Sequence, residues 1–181
     1  MSTAAKYIPH YTLADYVQWQ GDWELWGGVP VSMTPSPFGP HQLISMRLAR
    51  QLGNQLDELA CGCEVLHEID WVINQDTVVR PDLVVVCDGV PERHIQRSPV
   101  LIAEIISLST EQKDRTAKYK LYEAQNVKYY LLVDPEQKTL EVFVLDSAGK
   151  YDTIEPADLV LLQLTPKCQI EIDTTKLWKT N

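Results

Sequence analysis

The pattern of apolar and polar positions divides the chain into alternating helix-like and strand-like stretches. Thr12 followed by Asp15 reads as a helix start, with Tyr16, Val17 and Trp19 supplying apolar positions to about Gln20. WELW (23–26) and VPVSM (29–33) flank Gly27-Gly28, the signature of a β-hairpin. PSPFGP (35–40) is a breaker-rich loop. From His41 to about Leu59, the residues Leu43, Ile44, Met46, Leu48, Leu52, Leu56 and Leu59 recur at helical spacing and predict the clearest helix. EVLHEIDWVI (64–73), VVRPDLVVVC (78–87) and SPVLIAEIISLS (98–109) read as strands, the first interrupted and the last carrying a single charge. Ser109 or Thr110 caps a second helix to about Ala124. VKYYLLVD (127–134), TLEVFVLD (139–146) and KYDTIE (150–155) follow as a mostly antiparallel meander, and DTTKLW (173–178) as a short closing helix. No repeat, low-complexity tract or flexible linker interrupts the pattern, so residues 1–181 read as one domain. Two helices packed on a mixed sheet make it α/β or α+β.

Composition narrows the class. With 45% hydrophobic and 23% charged residues the chain is that of an ordinary globular protein. The N-terminal residues have no apolar core, so no signal peptide is expected. The longest apolar runs, at 83–87 and 100–103, fall far short of the ~20 residues that span a bilayer. Cys61, Cys63, Cys87 and Cys168 form no CxxC pair, a poor zinc pattern, and are expected to be reduced thiols of a cytoplasmic protein.

The net charge of −9 argues against a chain that coats nucleic acid or anionic membrane by bulk charge. The acid is unevenly spread, however. Residues 1–79 carry −6, residues 80–129 carry +1 and residues 130–181 carry −4. A focused phosphate site in the middle segment, with bound metal offsetting two acids, is compatible with that distribution, and weak affinity without metal is expected.

The middle segment also holds the candidate chemistry. Asp82 follows Pro81 and opens LVVVC, and Glu104 lies inside VLIAEII. An ionised carboxylate in such an apolar strand is costly to desolvate unless a cation or several hydrogen bonds compensate. Two carboxylates side by side raise one pKa unless a hard divalent ion sits between them, and Mg²⁺ suits such a site. Each acid alone has a structural explanation: Glu104 as an edge or ion-paired residue, Asp82 as turn chemistry after a proline. Asp114, Lys118 and Tyr122 are spaced four apart on one helix face that begins just after the Glu104 strand. Lys118 could therefore return to the acids, or Asp114–Lys118 could be a plain surface pair. The tryptophans and the Tyr119, Tyr122, Tyr129 and Tyr130 cluster are read as packing residues. His10, His67 and His94 have no ligand spacing, and Ser107, Ser109 and Thr110 are read as helix-capping residues rather than nucleophiles.

RPDLVVV (80–86), IAEIISLST (102–110), DRTAKYKLY (114–122) and NVKYYLLVDP (126–135) occur in that order, after ELWGGVPVSMTPSPFGPH (24–41). Together they resemble the Uma family of putative restriction endonucleases, abundant in cyanobacteria and part of the PD-(D/E)xK nuclease superfamily. The resemblance covers residues 12–145. It implies a restriction-endonuclease-like core, a mixed β-sheet flanked by helices, and a Mg²⁺-dependent (Mn²⁺ as the substitute) phosphodiesterase site. By position, Asp82 stands at the D of PD and Glu104 at the (D/E), both as metal ligands. The superfamily lysine falls two residues beyond the second acid, where this chain has Ile106; the resemblance implies its migration to Lys118. Glu24 resembles the acid on the N-terminal element, an extra metal-side ligand, and His41 matches the family's histidine, where helix N-terminal placement allows phosphate contact. The implied protein is a cytoplasmic, homodimeric endonuclease acting on nucleic acid, DNA in the first place. The missing in-strand lysine leaves open a catalytically degenerate fold serving as a nucleic-acid-binding or assembly module.

Overall fold

The computed structural model describes residues 9–33, 39–107, 110–155 and 157–179. Most of the breaker-rich loop at 35–40, Ser109 and the first eight residues lie outside them. The chain runs α1 (Leu13–Tyr16), β1 (Trp23–Trp26), β2 (Val29–Ser32), α2 (Gly39–Leu59), β3 (Glu64–His67), β4 (Trp71–Asn74), β5 (Thr77–Val79), β6 (Leu83–Val86) and β7 (Leu101–Ile105). It continues through α3 (Glu111–Lys113), a π-helical turn (Asp114–Lys118) and α4 (Tyr119–Ala124). Strands β8 (Tyr129–Asp134), β9 (Thr139–Leu145), β10 (Tyr151–Ile154), β11 (Leu159–Thr165) and β12 (Cys168–Asp173) then lead to α5 (Thr174–Leu177).

A six-stranded mixed sheet, ordered β10-β9-β8-β7-β6-β3, is the centre of the α+β fold. Its one parallel pair is β7 with β8, joined by the helix that carries Lys118. A second sheet, β2-β1-β5-β4, stands beside it, and β11-β12 form a separate hairpin. Two of the expected strands are each split between sheets. EVLHEIDWVI breaks at Glu68, whose φ of +47° turns the chain, so β3 and β4 belong to different sheets. VVRPDLVVVC breaks at Pro81, which has no N–H to give a ladder, so β5 and β6 also separate. That second break leaves Asp82 at the mouth of β6.

The central sheet is covered on both faces. On one, Leu83, Val85, Leu101, Ala103, Ile105, Leu131 and Val133 pack against Leu48, Leu52 and Leu56 of α2 and Val160, Leu162, Ile170 and Ile172 of the hairpin. On the other, Val84, Val86, Ile102, Ile106, Tyr130 and Leu132 meet Trp71 and Tyr122. A strand buried on both faces reads as a continuous apolar run, which is why LVVV and LIAEI stand out in the sequence. The first helix is only one turn, and Asp15 accepts hydrogen bonds from the Thr12 N–H and hydroxyl. Thr110 precedes α3, yet among the described residues its hydroxyl makes no capping bond and pairs with the Ser107 hydroxyl at 3.1 Å. No helix among the described residues is long and apolar enough to cross a membrane.

One expectation is corrected. The cysteines are not four separate thiols: Cys61 is bonded to Cys168 and Cys63 to Cys87. The antiparallel pairing of β3 with β6 brings Cys63 to Cys87, and the hairpin delivers Cys168 across 107 residues of sequence. Neither juxtaposition is visible as a spacing motif.

Candidate active site

Strand register brings the two acids together. β6 and β7 pair antiparallel with Leu83 opposite Ala103, and continuing that register by one residue sets Asp82 opposite Glu104. The period-two alternation turns both carboxylates toward the face covered by α4. The Ile105 N–H donates to Asp82 Oδ2 at 2.7 Å, and His41 Nε2 lies 3.3 Å from the same oxygen, so Asp82 is fixed from both sides.

The helix after β7 closes the site from above. Lys118 Nζ lies 2.8 Å from Glu104 Oε1, 3.4 Å from Asp114 Oδ1 and 3.9 Å from Glu24 Oε1. The Tyr122 hydroxyl donates to Glu104 Oε1 at 2.7 Å. Lys118 is thus a buried hub among three carboxylates, not half of a surface pair, with only 4% of its surface exposed. The π-helical turn has a further effect. Lys113 Nζ is 2.8 Å from Glu24 Oε2, so two lysines five residues apart reach one carboxylate. On an α-helix, residues five apart diverge by about 140°; the wider π turn brings them onto one side.

Glu24 is fully buried, and both of its oxygens are engaged. Oε1 accepts from the Arg80 N–H at 3.0 Å, and Oε2 accepts from Trp26 Nε1 at 3.0 Å and from Lys113. Arg80 in turn donates to Asp70 through Nε and to Asp22 through Nη1, each at 2.7 Å. A cavity of about 580 Å³ lies in front of them, lined by His41, Glu68, Arg80, Asp82, Glu104, Asp114 and Lys118 among others. Of the sequence candidates, Asp82, Glu104, Lys118 and His41 line this cavity, and Glu24 stands behind it. Ile106, at the usual lysine position, also lines it and is buried. Asp114 and Tyr122 join the cluster through the four-residue spacing noted above. Lys113, Arg80 and Trp26 were not legible, because only the π turn and the second sheet bring them in.

The electrostatics follow from this crowding. Burial pushes Glu104 up to about 8; the Lys118 ammonium draws it down, and the negative charges of Asp82 and Asp114 push it further up. Burial likewise raises Asp114. Burial also raises Glu24, but Lys118 and Lys113 overcome it and hold that carboxyl below its usual range. Burial works against the Lys118 charge, yet Glu104, Glu24, Asp114 and Asp82 outweigh it and hold that amine well above its ordinary value. His41 is raised too: burial opposes its charge, and the hydrogen bond and charge of Asp82 outweigh it.

The donor set fits a hard divalent cation. Asp82 and Asp114 push Glu104 up, and that repulsion is what a cation between Asp82 and Glu104 would relieve. Among the described residues, buried His41 Nδ1 has no hydrogen-bond partner, and Asp114 Oδ1 has none beyond its 3.4 Å ion pair with Lys118. Among the described residues, the only three or more Cys, His, Asp and Glu donors mutually within 4.8 Å are cysteines elsewhere. Among the described residues the acids therefore form no closed cage of three donors.

Residues 13–175 match the family Uma2, described as "Putative restriction endonuclease". An uncharacterized protein of Synechocystis is 30% identical over 115 residues, 61% of this chain and 60% of that protein. The chain thus spans about 60% of the length of the curated relative it matches. The crystal structure of a protein from Anabaena variabilis, described as a putative nuclease of the DUF820 group, is similar at a TM-score of 0.74. That likeness covers 92% of this chain and 97% of that one at 16% identity, a likeness of fold.

Proposed function

The chain belongs to the Uma2 family of putative restriction endonucleases, and from that premise we propose that it hydrolyses nucleic-acid phosphodiester bonds, DNA in the first place, with Mg²⁺ or Mn²⁺ as cofactor. The observation that carries this reading is the pairing of Asp82 with Glu104 on adjacent strands, with Lys118 Nζ 2.8 Å from Glu104.

In this reading Asp82 and Glu104 hold the metal. The bound ion would acidify a coordinated water and polarise the scissile phosphate. Asp82 is oriented for that role by the Ile105 N–H and His41. Lys118, kept cationic by its carboxylates, orients the attacking water beside Glu104 or offsets charge building on the phosphorus. Because both Glu24 oxygens are engaged, Glu24 acts as a positioning residue that holds Lys113 and Lys118 rather than as a ligand. His41, held against Asp82 at the start of α2, marks a helix N-terminus that would favour a non-bridging phosphate oxygen. A second copy of the chain would let two such sites reach both strands, and a DNA substrate goes with a cytoplasmic protein.

Ile106 favours one competing reading, a nuclease fold that binds nucleic acid without cutting it. A panel of supercoiled, linear and single-stranded DNA and RNA, incubated with Mg²⁺, Mn²⁺ or a chelator, separates the two. Metal-dependent cleavage lost in Glu104→Gln and reduced about 10²- to 10³-fold in Lys118→Met supports the enzyme. Binding without cleavage of any of these substrates supports the module.

A further inference from the structure

A second group of metal-ligating side chains lies away from the acid cavity. On β6, Leu83 and Val85 face α2 and the hairpin, and the same alternation carries Cys87 to that face, at the opposite end of the strand from Asp82. Cys63 directly precedes β3, whose Glu64 pairs with Val86 of β6, so the two cysteines extend neighbouring strands side by side. Cys61 is brought to the same place by a tight turn through Gly62, whose φ of +76° suits glycine. Cys168 arrives as the first residue of β12. The sulfurs of Cys61, Cys63 and Cys168 lie within 4.8 Å of one another, and that of Cys87 is bonded to Cys63. Cys63 and Cys168 are at most 2% exposed.

We propose that in their reduced state Cys61, Cys63, Cys87 and Cys168 form a four-sulfur site for one thiophilic divalent cation of the zinc class. Two independent crosslinks have no need to touch, whereas a tetrahedral thiolate site requires all four sulfurs around one point. With metal–sulfur bonds of about 2.3 Å, the sulfurs of such a site stand roughly 3.8 Å apart; those of Cys61, Cys63 and Cys168 already lie within 4.8 Å of one another, and Cys87, bonded to Cys63, would swing in on reduction. Three chain segments converge, from the α2–β3 connection, the end of β6 and the start of β12, so a metal would tie the hairpin to the central sheet. Soft thiolates also select a different class of ion from the carboxylate cavity, so the two sites do not compete for one metal.

The disulfide-bonded form is the oxidised, metal-free state. Each disulfide is reduced by one trialkylphosphine and one water, giving two thiols and a phosphine oxide. Binding of one Zn²⁺ by the four thiols then forms four metal–sulfur bonds and releases four protons.

The test is a Co²⁺ titration of the full chain after phosphine reduction, followed by visible and ultraviolet absorption. The expected result is one equivalent bound, with a thiolate-to-cobalt charge-transfer band that carboxylates cannot produce and ligand-field bands of a tetrahedral site. Added Zn²⁺ should displace the cobalt stoichiometrically and raise the melting temperature of the reduced protein. The oxidised protein should show no band. Cys61→Ser and Cys87→Ser, at the two less buried positions, should each weaken binding at least about tenfold while circular dichroism stays native. A reduced wild-type chain with four reactive thiols that develops no charge-transfer band at excess Co²⁺ would overturn the proposal. So would an unchanged band in both folded serine variants.

Discussion

The 2.8 Å contact of Lys118 with Glu104 sits in a buried group with Asp114 and Glu24, nearly all of it out of water. Removing one member of such a buried group strands the others, which costs about 3–5 kcal/mol. Lys118→Met is therefore expected to lose about that much stability in urea unfolding with chelator present, and to regain part of it with Mg²⁺. A loss within a few tenths of a kcal/mol would instead mean that the lysine is a solvated surface group. Glu104 makes a pH prediction. Its folded pKa of about 8 lies above its ordinary 4.5, so the proton it keeps stabilises the metal-free fold fully below pH 4.5, and that stabilisation fades as pH rises through about 8. Metal requires the carboxylate, so calorimetric Mg²⁺ or Mn²⁺ affinity should rise as pH is raised toward 8, with proton release. A flat profile from pH 6 to 8 contradicts that assignment. At this scale the sequence was informative about the acids as a pair, because Asp82 and Glu104 open and interrupt two apolar strands that each acid alone could explain structurally. It was also informative about Lys118, through its spacing from Asp114 and Tyr122. It could not show that Lys118 is buried, nor that Glu24 is committed to Arg80, Trp26 and Lys113, because those contacts cross between sheets.

Among the elements, the π-helical turn at Asp114–Lys118 is what lets Lys113 and Lys118 share Glu24. Deleting exposed Ala117 should restore an α-helical register and rotate the preceding residues by about 100° relative to α4. The expected outcome is a folded protein by circular dichroism whose metal affinity and cleavage fall together; retention of both would show that the π turn is incidental. Nothing in DRTAK announces that turn, since π and α segments draw on the same residues. The helix at His41–Leu59, the first hairpin and the β8–β10 meander follow directly from periodicity. The β11–β12 hairpin did not, although LVLLQLT alternates in burial. Its outward positions include Leu159 and Leu161, 47% and 57% exposed, so apolar residues on both faces hide the alternation. The interruption in EVLHEIDWVI was visible, but not that its halves join different sheets, and the split at Pro81 was hidden within a β-branched run.

For the whole molecule, the charge of −9 is concentrated outside residues 80–129, which supply Arg80, Asp82, Glu104, Asp114 and Lys118 to the cavity wall. Such a surface gives little non-specific attraction to phosphate backbones, so binding and turnover should both depend on the divalent ion that offsets the paired acids. The cavity lies where the two sheets and the π-turn helix meet. Conversion of supercoiled plasmid to nicked and linear forms, by wild type and by Asp82→Ala in the same Mg²⁺ or Mn²⁺ buffer, tests the account most directly. It predicts metal-dependent conversion by the wild-type chain and none above the chelator background by the variant; equal conversion by the two would contradict it.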